Sequence, residues 1–243
     1  MCITSGPAIL SKTKILSCKV EGGKHLLAYS NSVENKSITP NSMILAIPGT
    51  LSEEDFYDTT LYKDFLNEIE EANKTVMKSL SRSLSSSSFS FTSFKNGMYQ
   101  VLLSETIEGI GEALQSLPIE ERPIIKEDLL SFFGSHYKKH SFVICVFSST
   151  ETISAQPIMF TYTPFDYEIV YFPSMDSHTG DAPNIKEMVE VDHFLITNKN
   201  VGKKLEFEST VPDILKNLFF HCFEFKGNKK NGDWFLVKNQ LIR

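Results

Sequence analysis

No apolar run in the 243 residues reaches the length of about 20 that a membrane-crossing helix needs. Nor does a continuous apolar stretch open the chain, so a secretory leader is not expected. Positive charge is scarce: 24 Lys and Arg stand against 30 Asp and Glu, giving a net charge of −6 and a pI near 5.6. That balance argues against non-specific nucleic-acid binding, which needs a basic stripe. Cysteine is sparse and scattered, at Cys2, Cys18, Cys145 and Cys222. There is no C-x-x-C pair and no disulfide framework, which fits a reducing, cytoplasmic setting. No internal repeat is found, and no cofactor is expected.

What is present is apolar and aromatic. Hydrophobic residues make up 41% of the chain and aromatics 12%, with 19 Phe. A chain of this length can build a sizeable core, and one domain over 1–243 is expected. The segment Ile9–Leu16, the Gly22-Gly23 turn and the segment Lys24–Ser30 spell a hairpin. Asn41–Pro48 and Ser141–Ser148 are continuous apolar runs of strand length. Ser52 ahead of Glu53, Glu54 and Asp55 is a helix N-cap signal, and helical spacing follows from Leu61 to Ala72. Ile107–Gln115 and Lys126–Tyr137 read as two more helices. Between about 78 and 93 the chain is Ser-rich and reads as a flexible loop. Strand order with few helices predicts an α+β fold, its sheets mostly antiparallel, in one layer or two stacked layers, flanked by helices.

The stretch Gln156–Thr197 gathers the most chemistry. Pro157–Phe165 and Tyr167–Phe172 read as the two arms of a hairpin broken at Pro164 and Asp166. A loop then carries Asp176, His178, Gly180 and Asp181. The strand Val189–Ile196 brings Asp192 and His193, which face opposite sides if it is regular. His178 and His193 fit ordinary histidines, or a general base near neutrality. A third reading is a metal site from Asp176, His178, Asp181 and His193, although this spacing matches no established metal motif.

Cys2 follows the initiator Met1. If Met1 is trimmed, the freed amine of Cys2 can take its own thiol proton, which is the logic of an N-terminal nucleophile. In that reading Cys2 attacks an amide or related bond, and its amine or His178 or His193 is the base. Asp192 orients a histidine, and Asn41 donates to the oxyanion. Alternatively Cys2 is simply the second residue.

Several segments resemble an uncharacterised bacterial protein family. They are the Met1-Cys2 start, the hairpin Thr13–Tyr29, the strand Asn41–Pro48 and a helix start near Phe56–Asp58. The order Gln156-Pro157-Ile158-Met159-Phe160, Tyr171-Phe172-Pro173-Ser174, His178-x-Gly180 and Val191-Asp192-His193 also matches. The resemblance covers about two thirds of the chain and brings no activity; it singles out Cys2, His178, Asp192 and His193. The Met-Cys start is also superficially similar to cysteine-type N-terminal nucleophile hydrolases, such as glutamine amidotransferases and choloylglycine hydrolases. Those carry the nucleophile on the first strand of a hairpin in two stacked sheets. Here Cys2-Ile3-Thr4 replaces their Cys-Gly-Ile or Cys-Thr, and their downstream Arg and Asn groups have no counterpart.

Three functional readings follow. The first is a hydrolase with Cys2 as nucleophile, acting on a small-molecule or peptide substrate. The second is a non-catalytic module that binds a protein partner through the C-terminal hairpin, expected between His221–Lys226 and Trp234–Val237, or through the Ser-rich loop. The third is a metal-dependent hydrolase. No nucleic acid and no membrane enters any of them.

Overall fold

The structure is a computed structural model describing residues 2–74, 93–205 and 211–243. Its strands, in chain order, are β1 (Ile3–Thr4), β2 (Ala8–Lys19), β3 (His25–Asn35), β4 (Asn41–Ile47), β5 (Gly49–Thr50) and β6 (Phe56–Tyr57). Beyond the helix α1 (Phe65–Lys74) come β7 (Ser93–Asn96), β8 (Tyr99–Ser104), α2 (Glu108–Gln115), α3 (Glu127–His136), β9 (Ser141–Phe147) and β10 (Ile153–Ser154). The remainder is β11 (Ile158–Pro164), β12 (Val170–Phe172), β13 (Met188–Thr197), β14 (Lys203–Lys204), β15 (His221–Lys230), β16 (Trp234–Val237) and β17 (Gln240–Ile242).

These strands make three sheets. One runs β1-β4-β9-β8-β7 and is antiparallel throughout. The largest runs β14-β15-β13-β2-β3-β11-β5, with β10 added to β3 and β6 to β11. Within it β13 and β2 are parallel. The third is β12-β16-β17. The fold is α+β and dominated by antiparallel sheets.

Period-two side-chain alternation explains how the layers stack. Met43 and Leu45 of β4, with Val143 and Cys145 of β9, share one buried cluster with Leu27 and Tyr29 of β3 and Phe160 of β11. The two large sheets therefore pack face to face. Ile44 and Ala46 of β4, with Phe142 and Ile144 of β9, point the other way and meet Ile110 of α2 and Leu129 and Phe133 of α3. Leu26 and Ala28 of β3 likewise turn outward onto Phe65, Leu66 and Ile69 of α1. Strands covered on both faces must be apolar at every position, which is why β4 and β9 appear as unbroken runs.

Some elements differ from what local sequence suggests. Ser52 does cap, in a reciprocal box with Asp55, but the turn it caps is a single 3-10 turn over Glu53–Asp55, and the chain then extends into β6. β11 and β12 do not form a hairpin: β11 pairs β3, β5 and β6, whereas β12 pairs β16. The expected C-terminal hairpin between His221–Lys226 and Trp234–Val237 is also absent, because β15 pairs β13 and β14 while β16 turns back through Lys238 and Asn239 onto β17. Those two turn residues have φ of 47° and 64°, the left-handed geometry of a tight hairpin turn. The Ser-rich loop lies outside the described residues apart from Ser93, which starts β7.

Candidate functional site

The loop from Ser174 to Pro183 is laid along residues 2–8 like an improvised strand. Cys2 O accepts from Ser177 N at 3.2 Å, Thr4 N donates to Ser177 O at 2.8 Å, and Ala8 N donates to His178 O at 3.0 Å. Gly180 sits at φ 82°, and a Cβ there would lie 2.5 Å from Ser5 O, so only glycine allows this approach. From the other side, Asp233 Oδ1 accepts from Ser174 N and Met175 N at 2.8 and 2.9 Å. Asn231 accepts from Asp176 N and donates to Asp176 O, both at 2.8 Å. Tyr137 closes the arrangement by donating to Asp233 Oδ2 at 2.6 Å.

Asn231 and Asp233 lie in the segment between the two arms of the expected C-terminal hairpin, just ahead of β16. They are 2% and 6% exposed and organise the whole loop. An Asn-x-Asp in a turn signals backbone hydrogen bonding, but not that the backbone served is fifty-odd residues away.

Cys2 is brought beside this loop, but its side chain enters the core between the sheets. It is 3% exposed and belongs to the same cluster as Tyr29, Tyr99 and Cys145. Burial pushes its thiol up to about 12, against the opposing effects of nearby positive charge and a hydrogen bond with Tyr29. A thiolate nucleophile needs the opposite shift. The cavity alongside, lined by Cys2, Ala46, Tyr137, Tyr171, Ser174 and Asp233, has a volume of about 10 Å³. That is room for one water at most.

His178 Nε2 lies 3.1 Å from Asp176 Oδ1. The distance is that of an ion pair, yet neither atom makes a hydrogen bond among the described residues. Burial lowers His178 to about 3 and raises Asp176 to about 6. Both shifts favour the neutral forms, so burial outweighs the pair's attraction. His193 is 1% exposed and burial holds it well below its ordinary value, with the neighbouring His178 adding to the shift. The two histidines are therefore close enough to influence one another.

The other predicted residues do not join this group. Asp192 alternates with His193 along β13 and points outward, 3.5 Å from Lys226, with its side chain 65% exposed. It faces away from the imidazole it was expected to orient. Asp181 is tied to Lys126 at 2.5 Å on the surface. Asn41 is buried with its amide engaged on both sides. Its Oδ1 accepts from Ser5 Oγ, Gly6 N and Ser42 N, and its Nδ2 donates to Pro7 O and Asn35 Oδ1. An amide so occupied clamps the N-terminal segment and has no donor left for an oxyanion. Among the described residues, no group of three or more His, Cys, Asp or Glu side chains could hold a metal ion. None of their helices is long and apolar enough to cross a membrane.

A different feature presents side chains outward. The turn after β11 exposes Phe165 and Tyr167, 54% and 40% exposed. Its backbone is fixed throughout. Phe165 N donates to Pro48 O at 2.9 Å, Glu168 N to Asp166 Oδ1 at 2.8 Å, and Tyr167 O lies 2.9 Å from His25 Nε2. Lys19 pairs with Glu168 at 2.8 Å and sits 4.2 Å above the Tyr167 ring. His140 meets Phe165 edge-on at 5.6 Å.

No family model matches the chain, and no curated protein matches it. Among solved structures, baculovirus P35 aligns over 99% of this chain and 93% of its own, at 13% identity and a TM-score of 0.49. A mutated baculovirus P35 after caspase cleavage covers 95% and 92%, at 15% identity and 0.45. The complex of caspase-8 with P35 covers 95% and 89%, at 14% identity and 0.45. Likeness at this level carries no argument about what the present chain does.

Proposed function

We propose that this protein acts by binding another protein and not by catalysis at Cys2. The observation that carries the reading is the turn Pro164–Glu168, which holds two exposed aromatic side chains on a fixed backbone. Aromatic anchors dominate protein interfaces, and an anchor ordered before binding avoids the entropy cost of being fixed on contact. The catalytic reading draws no comparable support, since the Cys2 thiol is neutral, enclosed and beside a cavity too small for a substrate.

The test is affinity capture with the tagged chain, wild type against the double variant Phe165→Ala, Tyr167→Ala. Caspase-8, found with P35 in one of the solved structures, is included as one defined bait beside a cell extract, with no greater weight than the rest. The expected result is a partner retained by the wild type and lost by the double variant. Equal retention by both would remove the aromatic turn from the interface.

A further inference from the structure

Apart from the short β14, β15 forms one edge of the largest sheet. Its inner side is paired with β13 from His221 to Lys230 without a shift in register. On its outer side β14 pairs only His221 and Cys222, and Leu205 N extends that pairing by donating to Phe220 O at 2.8 Å. Phe220 and Cys222 therefore turn their backbone groups outward. In an antiparallel ladder these groups alternate between the two neighbours, so Glu224, Lys226, Asn228 and Lys230 turn outward too. All four residues are exposed, and no hydrogen bond reaches that side of their backbone among the described residues. A free edge of this length is a template for another extended strand.

The edge is complementary to itself. It reads Glu224-Phe225-Lys226-Gly227-Asn228-Lys229-Lys230. A second copy laid antiparallel, with Gly227 opposite Gly227, sets Glu224 opposite Lys230, Phe225 opposite Lys229 and Lys226 opposite Asn228. Directly opposed residues share a face, so the first pairing is an ion pair and the second a cation beside a ring. Lys229 already makes the second kind of contact within its own chain, 5.2 Å from the Phe225 centroid. Gly227, at φ 83°, puts no side chain on the axis. Outward residues meet only outward residues, so Glu224 with Lys230, and Lys226 with Asn228, exchange both backbone bonds. Sliding one strand by two residues keeps the backbone match but sets Lys226 opposite Lys226 or opposite Lys230, which like charge disfavours. Lysines usually keep free edges apart. In the centred register they do not. Lys226 is held by Glu224 at 3.2 Å and by Asp192 at 3.5 Å, and Lys229 lies on Phe225. Lys230 makes no ion pair among the described residues and meets Glu224 of the second copy.

We infer that a second copy of this chain pairs along β15, two-fold about Gly227, and joins the two largest sheets into one. A strand edge opposed to itself antiparallel is an isologous contact, which is what a symmetric dimer requires. β15 and β11 stand toward opposite ends of the sheet order, so the contact does not rest on the partner proposed for the aromatic turn.

Sedimentation of the full chain, joined to amide hydrogen exchange, tests this. The wild type is expected to pass from monomer to dimer as concentration rises. In the dimer the amides of Lys226 and Asn228 exchange more slowly by about tenfold or more. Glu224→Lys and Lys230→Glu each set like charges against each other at both ends of the contact, and each weakens the dimer by about tenfold or more. Both substitutions in one chain exchange the charges and restore the dimer, which also shows that neither acts by unfolding. Phe165→Ala with Tyr167→Ala leaves the dimer intact. A wild type that stays monomeric at every concentration overturns the inference. So does a dimer in which the Lys226 and Asn228 amides are not slowed, a single variant that dimerises like the wild type, a doubly substituted chain that stays monomeric, or loss of the dimer in the aromatic variant.

Discussion

Asp176 Oδ1 and His178 Nε2 lie 3.1 Å apart, and burial drives both toward their neutral forms. The pair is a liability that depends on pH. The folded pKa of His178 is depressed from 6.5 to about 3, so its contribution to stability is present above pH 6.5 and is lost as pH falls toward 3. His25, His140 and His193 are depressed too and act in the same direction. Asp176 is raised from 3.8 to about 6, so its effect is opposite: it favours folding below pH 3.8 and loses that advantage as pH rises through 6. Four lowered histidines outweigh one raised carboxyl. The midpoint of urea unfolding should therefore fall between pH 6.5 and 4. His178→Asn should recover on the order of 3 kcal/mol of that loss. A flat profile in the wild type would show that these groups are solvated.

Asn41 should behave as a structural residue. Asn41→Ala removes the side-chain acceptor of Gly6 N, one of the two at Ser42 N, and one of the donors to Pro7 O. Losses at buried polar groups of this kind reach about 2–4 kcal/mol. The measurement is chemical denaturation, and a change below about 0.5 kcal/mol would mean that the segment is held by other contacts.

Asp233 and Tyr137 separate the two sides of the loop anchor. Asp233→Ala removes the acceptor of three hydrogen bonds and should cost about 3 kcal/mol. Tyr137→Phe removes one donor and leaves both backbone bonds intact, so it should cost nearer 1 kcal/mol. Asp192→Asn touches only an exposed pair with Lys226 and should change stability by less than about 0.5 kcal/mol. Denaturation curves of the three variants give the order directly.

Cys2 should be slow toward electrophiles. With its thiol near 12, on the order of 10⁻⁵ of the population is thiolate at pH 7. Intact mass after brief alkylation should show Cys2, Cys18 and Cys145, all buried, unlabelled in the native protein and labelled after denaturation. Selective native labelling of Cys2 would contradict its placement in the core.

How far the sequence foretells this molecule depends on whether the deciding contacts are local. β4 and β9 are legible because strands covered on both faces must be apolar at every step. The β2–β3 hairpin is legible because Gly22 and Gly23 supply positive φ at the turn. The alternation of Asp192 and His193 follows from strand geometry alone. The partner of a strand is another matter. Pro164 and Asp166 do make a turn, yet β11 bonds to β3, more than a hundred residues earlier, because that register places Met159 and Phe160 on the two apolar layers. The candidate site divides in the same way. That Cys2 and His178 come near one another depends on backbone pairing between residues 2–8 and the loop. That Asn231 and Asp233 hold the loop depends on β16 folding back onto β12. Neither leaves a mark in spacing. Whether a cysteine is a nucleophile or a core residue depends on burial, which the dipeptide Met1-Cys2 does not encode.

The most direct measurement sets the two regions against each other on one captured partner: Cys2→Ser beside Phe165→Ala, Tyr167→Ala, each compared with the wild type. Binding through the aromatic turn predicts that Cys2→Ser retains the partner, while the double aromatic variant loses it. If Cys2→Ser abolishes capture and the aromatic variant keeps it, the function resides at Cys2 and the account is contradicted.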